Sequence, residues 1–243
     1  MTDPNAISHW LPLIRDAGLP VPKTAIVQMP LEAQQGIWSR EDGIEMTEGQ
    51  AESLALFFLS LAGDAQKMGF PCFLRTGHTS GKHDWKNTCF LPSASEVRRH
   101  VFNIIEYSET VSIVGLPWEE WAVREMLPVM PYGACPKYGN MPICKEFRFF
   151  VEDGVIRCWH PYWPADALIE GGANYLEMDY RGLCRMDNEA ELSALAIAAS
   201  KAVPGSWSID LLETQRGWFV TDMAEAKRSY HWDGCQNRGG RPC

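Results

Sequence analysis

At 243 residues, 46% hydrophobic and 22% charged, the chain reads as a soluble globular protein able to form one large domain or two lobes sharing a cleft. A formal net charge of −9 excludes a broad nucleic-acid-binding surface but leaves room for a local basic pocket for a nucleotide. The longest apolar run, Leu54 to Ala62, is far short of the about 20 residues that span a bilayer, so no membrane segment is expected.

Ile7, Trp10, Leu11 and Ile14 recur at helical spacing and predict a short helix over residues 6–17, ended by Gly18. Pro20 and Pro22 enforce an extended approach to a strand, Thr24-Ala25-Ile26-Val27. Residues 31–48, weakly periodic and rich in charge, read as loop with room for one short strand. Gln50 to Met68, rich in Ala and Leu and closed by Gly69, predicts a helix. Phe70 to Thr76 reads as a short buried strand that delivers Arg75 into Gly77-His78-Thr79-Ser80-Gly81-Lys82-His83-Asp84. Small residues there let backbone N–H groups approach a phosphate, and Lys82 adds charge. The loop lacks the full G-x-x-x-x-G-K-[ST] pattern, and a flexible polar turn is the alternative reading.

Ser93-Ala94-Ser95-Glu96 fits a capping box that opens a helix through Tyr107, with Val97, Val101, Ile104 and Ile105 inward. Trp121 to Leu127 reads as a strand stopped by Pro128, and Pro131 to Pro142 as a loop. Lys145 to His160 then has the pattern of a β-hairpin turning at Glu152-Asp153-Gly154. Period-two alternation sets Phe147, Phe149 and Val151 on one face and Glu146 and Arg148 on the other, either as a surface ion pair or as a site. Residues 161–188 are irregular and suit a substrate loop, and Glu189 to Val203 predicts a helix.

A second hairpin follows, Trp207 to Leu212 and Trp218 to Asp222 about a five-residue loop from Glu213 to Gly217. If Leu212 pairs with Trp218, Asp210 and Asp222 share a face; a one-residue slip separates them. Carboxylates at 210, 222 and 225 with bases upstream suit a Mg²⁺–phosphate site. None of the eight cysteines forms a C-x-x-C pair, and no charged-then-apolar signal segment opens the chain. A reduced, cytoplasmic protein with structural thiols is expected, a metal site being the alternative.

The order of these motifs resembles the ATP-grasp superfamily over most of residues 18–230. Gly18 to Thr24 is similar to the approach to the first strand of those proteins, and Phe73-Leu74-Arg75 to the strand bearing the first phosphate-contacting base. Gly77 to Lys82 resembles the flexible loop over the phosphates, and Val123-Arg124-Glu125-Met126-Leu127 the hinge strand whose backbone meets adenine. Glu146-Phe147-Arg148 with Phe149-Phe150-Val151 resembles the Glu-x-Arg strand, and most of all that of the small clades that include the cell division cycle protein 123 assembly chaperone. Ser208-Ile209-Asp210 and Val220-Thr221-Asp222 resemble the closing strands that carry metal-binding acids. Two departures stand out: Arg75 where many relatives have lysine, and Asp222-Met223-Ala224 in place of acid-x-Asn, with Glu225 next.

The resemblance implies an α+β, two-lobe architecture with antiparallel sheets and nucleotide between the lobes. The N-terminal lobe with its phosphate-contacting loop would cover residues 1–117, the C-terminal ATP-grasp lobe 118–232, and a frayed tail 233–243. It implies ATP and Mg²⁺ as ligands. Arg75, Lys82, Arg124, Glu125, Met126, Leu127, Glu146 and Arg148 would meet the nucleotide, and Asp210, Asp222 and Glu225 the metal, with Arg148 also catalytic. The activity implied is that of a ligase that phosphorylates a carboxylate to an acyl phosphate for attack by an amine, catalysis being mainly positioning and charge neutralisation. The alternative is a non-catalytic ATP-binding assembly module with a protein client. Trp118 and Trp121 are candidate neighbours of adenine. Arg148, on the face away from the apolar one, is expected to be removable with little loss of fold.

Overall fold

The computed structural model describes residues 3–111, 113–170, 172–173 and 180–232. The tail expected to fray, residues 233–243, lies outside them, as does part of the irregular stretch 161–188. The chain divides into two compact units, Lys23–Met126 and the residues up to Pro22 together with those from Leu127 on. Helix α1 (Ile7–Asp16), which buries Ile7, Trp10, Leu11 and Ile14 as its spacing predicts, belongs to the second.

In the Lys23–Met126 unit, β1 (Thr24–Gln28) leads into α2 (Leu31–Glu41) and α3 (Glu48–Met68), the latter opened by a Thr47–Gln50 capping box. Next come β2 (Cys72–Thr76), a 3-10 helix (Lys82–Asp84), β3 (Phe90–Leu91), a second 3-10 helix (Ala94–Glu96), α4 (Val97–Thr110) and β4 (Glu120–Glu125). The strands form one antiparallel sheet in the order β1-β4-β2-β3. Helix α2 corrects the loop reading of residues 31–48. Its buried stripe is only Ala33, Gly36 and Ile37, too small a signal to register as periodicity. Gly36 suits that stripe because a Cβ there would meet Met46 Sδ at 3.3 Å and the Cβ of Gln50 at 3.4 Å. The capping box expected at Ser93 does not form; the Ser93 hydroxyl meets Ser95 and a 3-10 turn precedes α4.

Alternation sorts this sheet into two faces. Val27, Cys72, Leu74, Trp121 and Val123 pack with α2, α3 and α4 in one core. On the opposite face the register sets Arg124 beside Thr24 and Phe73, Ala122 beside Ile26 and Arg75, and Glu120 beside Gln28. Because β4 hydrogen-bonds between β1 and β2, residues 118–126 belong to this unit, and the boundary expected at residue 117 falls instead after Met126. Trp118 and Trp121 lie in the core beside Trp38 and Phe57, so neither is presented on the polar face.

From Leu127 on, the other unit has a small hairpin, β5 (Gly133–Cys135) and β6 (Met141–Ile143), within the stretch read as loop. Then follow β7 (Glu146–Glu152), β8 (Val155–Pro161), α5 (Ala165–Glu170), α6 (Tyr180–Cys184), α7 (Glu189–Ala202), β9 (Ser206–Thr214) and β10 (Gly217–Glu225). The antiparallel order is β10-β9-β7-β8, with α7 packed on β7, β8 and β9. Asp153 and Gly154 turn the β7–β8 hairpin with φ 46° and 79°, the positive values that Asp-Gly predicts. Phe147, Phe149, Ile209 and Leu211 are fully buried on one face. Glu146, Arg148, His160, Asp210 and Asp222 line up on the other.

The β9–β10 turn is tighter than the expected five-residue loop, since Thr214 already pairs with Gly217 and Leu212 with Phe219. Continued unbroken, that register would set Asp210 opposite Thr221 and turn Asp222 to the apolar face. A bulge between Val220 and Asp222 absorbs Thr221 and restores the pair Asp222–Asp210.

Gly77 follows β2 where the backbone passes Glu120: its N–H donates to Glu120 O at 2.7 Å, and a Cβ would stand 2.5 Å from Glu120 Oε1 and 3.2 Å from Glu120 Cβ. Gly77→Ala is therefore expected to destabilise the protein by about 1–2 kcal/mol in urea unfolding, against no loss for Gly49→Ala, which meets nothing within 4 Å.

Candidate functional site

Arg148 lies on the polar face that β7 shares with β9 and β10. Its Nε donates to Asp210 Oδ1 at 2.7 Å and a terminal nitrogen to Asp210 Oδ2 at 2.8 Å, a two-pronged ion pair between neighbouring strands. The other terminal nitrogen donates to Tyr230 O at 3.3 Å, and the guanidinium lies 4.9 Å from the centre of the Tyr162 ring. Burial alone would lower the pKa of Arg148; the charge and hydrogen bonds of Asp210 outweigh it and raise the pKa above the ordinary guanidinium value. Asp222 stands opposite Asp210 in register, its Oδ1 accepting from Met223 N at 3.1 Å. Glu146, 8% exposed, accepts from Thr221 Oγ1 at 3.4 Å, so the bulge residue itself is tied to the first acid of the Glu-x-Arg run.

Beside this group, His160 is buried with its ring 5.0 Å from Trp232 and 5.8 Å from Phe150, packed among aromatics. Its Nδ1 donates to Pro161 O at 2.7 Å. Burial, reinforced by Arg148 and His231, lowers its pKa from 6.5 to about 4, against the opposite pulls of the Pro161 carbonyl and Asp210. Residues Tyr230 to Trp232 return over this face, a contribution that the sequence does not signal.

In the Lys23–Met126 unit, Arg75 and Arg124 share the polar face of the sheet with Glu120, and all three are buried. Arg75 Nε donates to Thr76 O at 3.0 Å, Arg124 Nε to Thr24 Oγ1 at 3.3 Å, and Gln28 Nε2 to Glu120 Oε2 at 2.8 Å. Glu120 was not singled out in the sequence, though its place two residues before Ala122 and four before Arg124 fixes its face. Lys82 begins the 3-10 helix after the Gly77–Gly81 loop. Glu125 Oε1 accepts from Lys23 N at 2.8 Å while its own N–H donates to Lys23 O at 2.9 Å. The division between units falls between Met126 and Leu127, in the stretch read as a hinge.

One expected grouping does not form. Alternation along β10 turns Glu225 to the face opposite Asp222. There its Oε2 accepts from Asn5 Nδ2 at 3.2 Å and its Oε1 pairs with Lys227 at 3.1 Å. Those hydrogen bonds, Asn5 first, hold its carboxyl below the usual range. Among the described residues, no three His, Cys, Asp or Glu side chains are grouped to hold a metal ion. The donors fit Mg²⁺ in the sparser form in which one or two carboxylates combine with phosphate oxygens and waters. Asp222 supplies one, and Asp210 keeps lone pairs beyond the two that Arg148 uses. Cysteines 72, 89, 135, 144, 158 and 184 are not in disulfides, and no described helix is long and apolar enough to cross a membrane.

No family model and no curated protein matches the chain. Solved structures do. C-terminally truncated Cdc123 from Schizosaccharomyces pombe is similar with a TM-score of 0.55 and 14% identity, over 90% of this chain and 82% of that one. A RimK domain ATP-grasp protein from Sphaerobacter thermophilus gives 0.49 and 11% identity, over 90% of this chain and 58% of its own. D-alanine–D-alanine ligase from Bacillus anthracis, complexed with ATP, gives 0.48 and 9%, over 90% and 54%. The chain thus spans little more than half the length of the last two. The chain shares the fold of the Cdc123 structure, a mixture of helices with antiparallel sheets.

Two measurements follow from the geometry. Arg148→Ala would leave Asp210, 4% exposed at its side chain, as an uncompensated buried carboxylate; a loss of about 3–5 kcal/mol in denaturant unfolding is expected, contrary to the small loss inferred from the strand pattern. The second concerns acid. Between pH 6.5 and about 4 an unfolded chain holds the His160 proton and the folded chain does not, so this contribution to stability is complete above pH 6.5 and is lost as pH falls toward about 4. His160→Gln is expected to flatten the dependence of melting temperature on pH in that window; His100, also lowered by burial, keeps a residual slope.

Proposed function

We propose that the protein binds ATP with Mg²⁺ and joins a carboxylate to an amine. The observation that carries this reading is the register that sets Arg148, Asp210 and Asp222 side by side on three adjacent strands. Arg148, always charged and already oriented by Asp210, meets a phosphate without reorganising. Asp222, with a remaining lone pair of Asp210, holds the cation, which when bound neutralises phosphate charge. Substrate carboxylate oxygen attacks the terminal phosphorus as ADP leaves; the amine then attacks the carbonyl carbon and phosphate leaves. These residues act by placement and charge, since no protein nucleophile is required.

A second reading is favoured by Ala224. With no side-chain oxygen where the resemblance implies asparagine, the cation would have fewer protein ligands, as suits a module that binds ATP without turning it over. The resemblance to the clade of the assembly chaperone points the same way. ATP binding followed by titration calorimetry, with ADP formation assayed against panels of carboxylates and amines, separates the two: turnover supports the ligase, and binding alone supports the module. No binding would sink both. For the cation, Asp222→Asn is expected to weaken Mg²⁺-dependent ATP binding more than tenfold, whereas Glu225→Ala keeps the wild-type Mg²⁺ dependence because its carboxylate faces Asn5.

A further inference from the structure

After β10 the chain doubles back. A 3-10 turn (Ala226–Arg228) reverses it, and residues 229–232 lie over the polar face that carries Arg148. The hydroxyls of Ser229 and Ser208 share a hydrogen bond, which pins the start of this segment to β9. The His231 ring meets Phe150 edge-on at 4.5 Å between centres, and its Nε2 lies 3.1 Å from Cys158 Sγ. Trp232 stacks on His160. Beneath them Cys158 is fully buried and Phe150 nearly so. The contact is imperfect. His160 Nε2 and Trp232 Nε1 are both buried and, among the described residues, have no hydrogen-bond partner. A closed state that keeps two polar atoms from water is penalised relative to one in which water reaches them, so lifting the segment relieves both.

The same segment completes the shell of Arg148. Asp210 takes Nε and one terminal nitrogen, and the other terminal nitrogen donates to Tyr230 O at 3.3 Å, so every nitrogen of the guanidinium already has an acceptor. Of the three bonds, the one to Tyr230 is the longest and is made to a neutral oxygen, whereas the two to Asp210 join opposite charges. An anion arriving at Arg148 would displace the carbonyl and leave the Arg148–Asp210 pair in place. We propose that residues 229–232 are an autoinhibitory strap: closed, it fills with Tyr230 O the place on Arg148 that an anion takes, and opening it admits the anion. That the anion is the phosphate chain of ATP rests on the ATP-binding reading above; the strap and its hold on Arg148 do not. Because strap and phosphate compete, each weakens the other by the same factor.

Cys158 reports the strap. Its alkylation by iodoacetamide is followed by peptide mass spectrometry, with Cys135, fully buried in the same unit, as the reference for global unfolding. ATP affinity is measured by calorimetry with Mg²⁺, and both readouts are taken on wild type and Trp232→Ala. The substitution removes the stack on His160 and leaves Arg148, Asp210 and Tyr230 as they are. It is expected to speed alkylation of Cys158 about tenfold with Cys135 unchanged, and to tighten ATP about fivefold. In wild type, saturating ATP with Mg²⁺ is expected to speed alkylation of Cys158 by about the same fivefold. Unchanged alkylation in Trp232→Ala, or equal acceleration at both cysteines, overturns the strap. Faster alkylation of Cys158 with equal or weaker ATP affinity makes the segment a cover or a part of the site and overturns autoinhibition. Should Trp232→Ala not fold, wild type decides: ATP that slows Cys158 alkylation or leaves it unchanged overturns the proposal. If ATP binds neither protein, the ATP-binding reading fails. Tripolyphosphate titrated into the same two proteins then decides the strap, and no tightening in Trp232→Ala overturns it.

Discussion

Arg148 and Asp210 depend on each other for their place in the sheet. Either one alone would be a charge taken out of water with no partner, at a cost of several kcal/mol. Together they sit on neighbouring strands at one register position and close two parallel hydrogen bonds. The pair does little for net stability compared with apolar residues of the same size. Its consequence is geometric: a guanidinium whose position is settled by the β7–β9 ladder, with Tyr162 and the Tyr230 carbonyl on its remaining sides. Everything proposed for phosphate at this face depends on that preset position rather than on flexible charge.

The same face depends on a single inserted residue. Thr221 is the bulge that returns Asp222 to the side of Asp210, and its hydroxyl reaches back to Glu146 Oε1 and to Asp210 O. A strand pairs by parity, so one residue more or fewer would exchange every side chain beyond it between core and site. The apolar residues enforce this as strictly as the acids do: Val220 and Met223, on either side of the bulge, are both buried. Correct burial of the core and correct placement of the acids are therefore one constraint.

Much of this was legible from alternation. Phe147 and Phe149 against Glu146 and Arg148, the Asp153-Gly154 turn, and the stripe Ile7, Trp10, Leu11, Ile14 each follow from a period that a single strand or helix imposes. What escaped were features set by a partner. Helix α2 is stabilised through Gly36 against Gln50 and Met46, which local pattern cannot weigh. The tight turn at Gln215-Arg216 and the bulge at Thr221 are two errors of parity that cancel, so the expected shared face arose by a different register. Glu225 looked like a ligand because it is close in sequence to Asp222; an odd separation along a strand put it on the other side, with Asn5 of a distant segment.

The proposed cation site would depend on placement more than on number of ligands. A protein cage for Mg²⁺ needs several oxygens held near octahedral positions, whereas a cation carried on phosphate brings much of its own shell. For the second case the protein needs one carboxylate in the right place and a base that keeps the phosphates from turning. In the proposed reading, Asp222 and Arg148, placed on adjacent ladders, would meet that requirement, with no side-chain oxygen added at Ala224. Arg148 takes one hydrogen bond to each Asp210 oxygen, so a cation held there would use the lone pairs that remain. In the proposed site the acid would both orient the base and help to hold the cation, so that a buried ion pair and a cation site would share one residue.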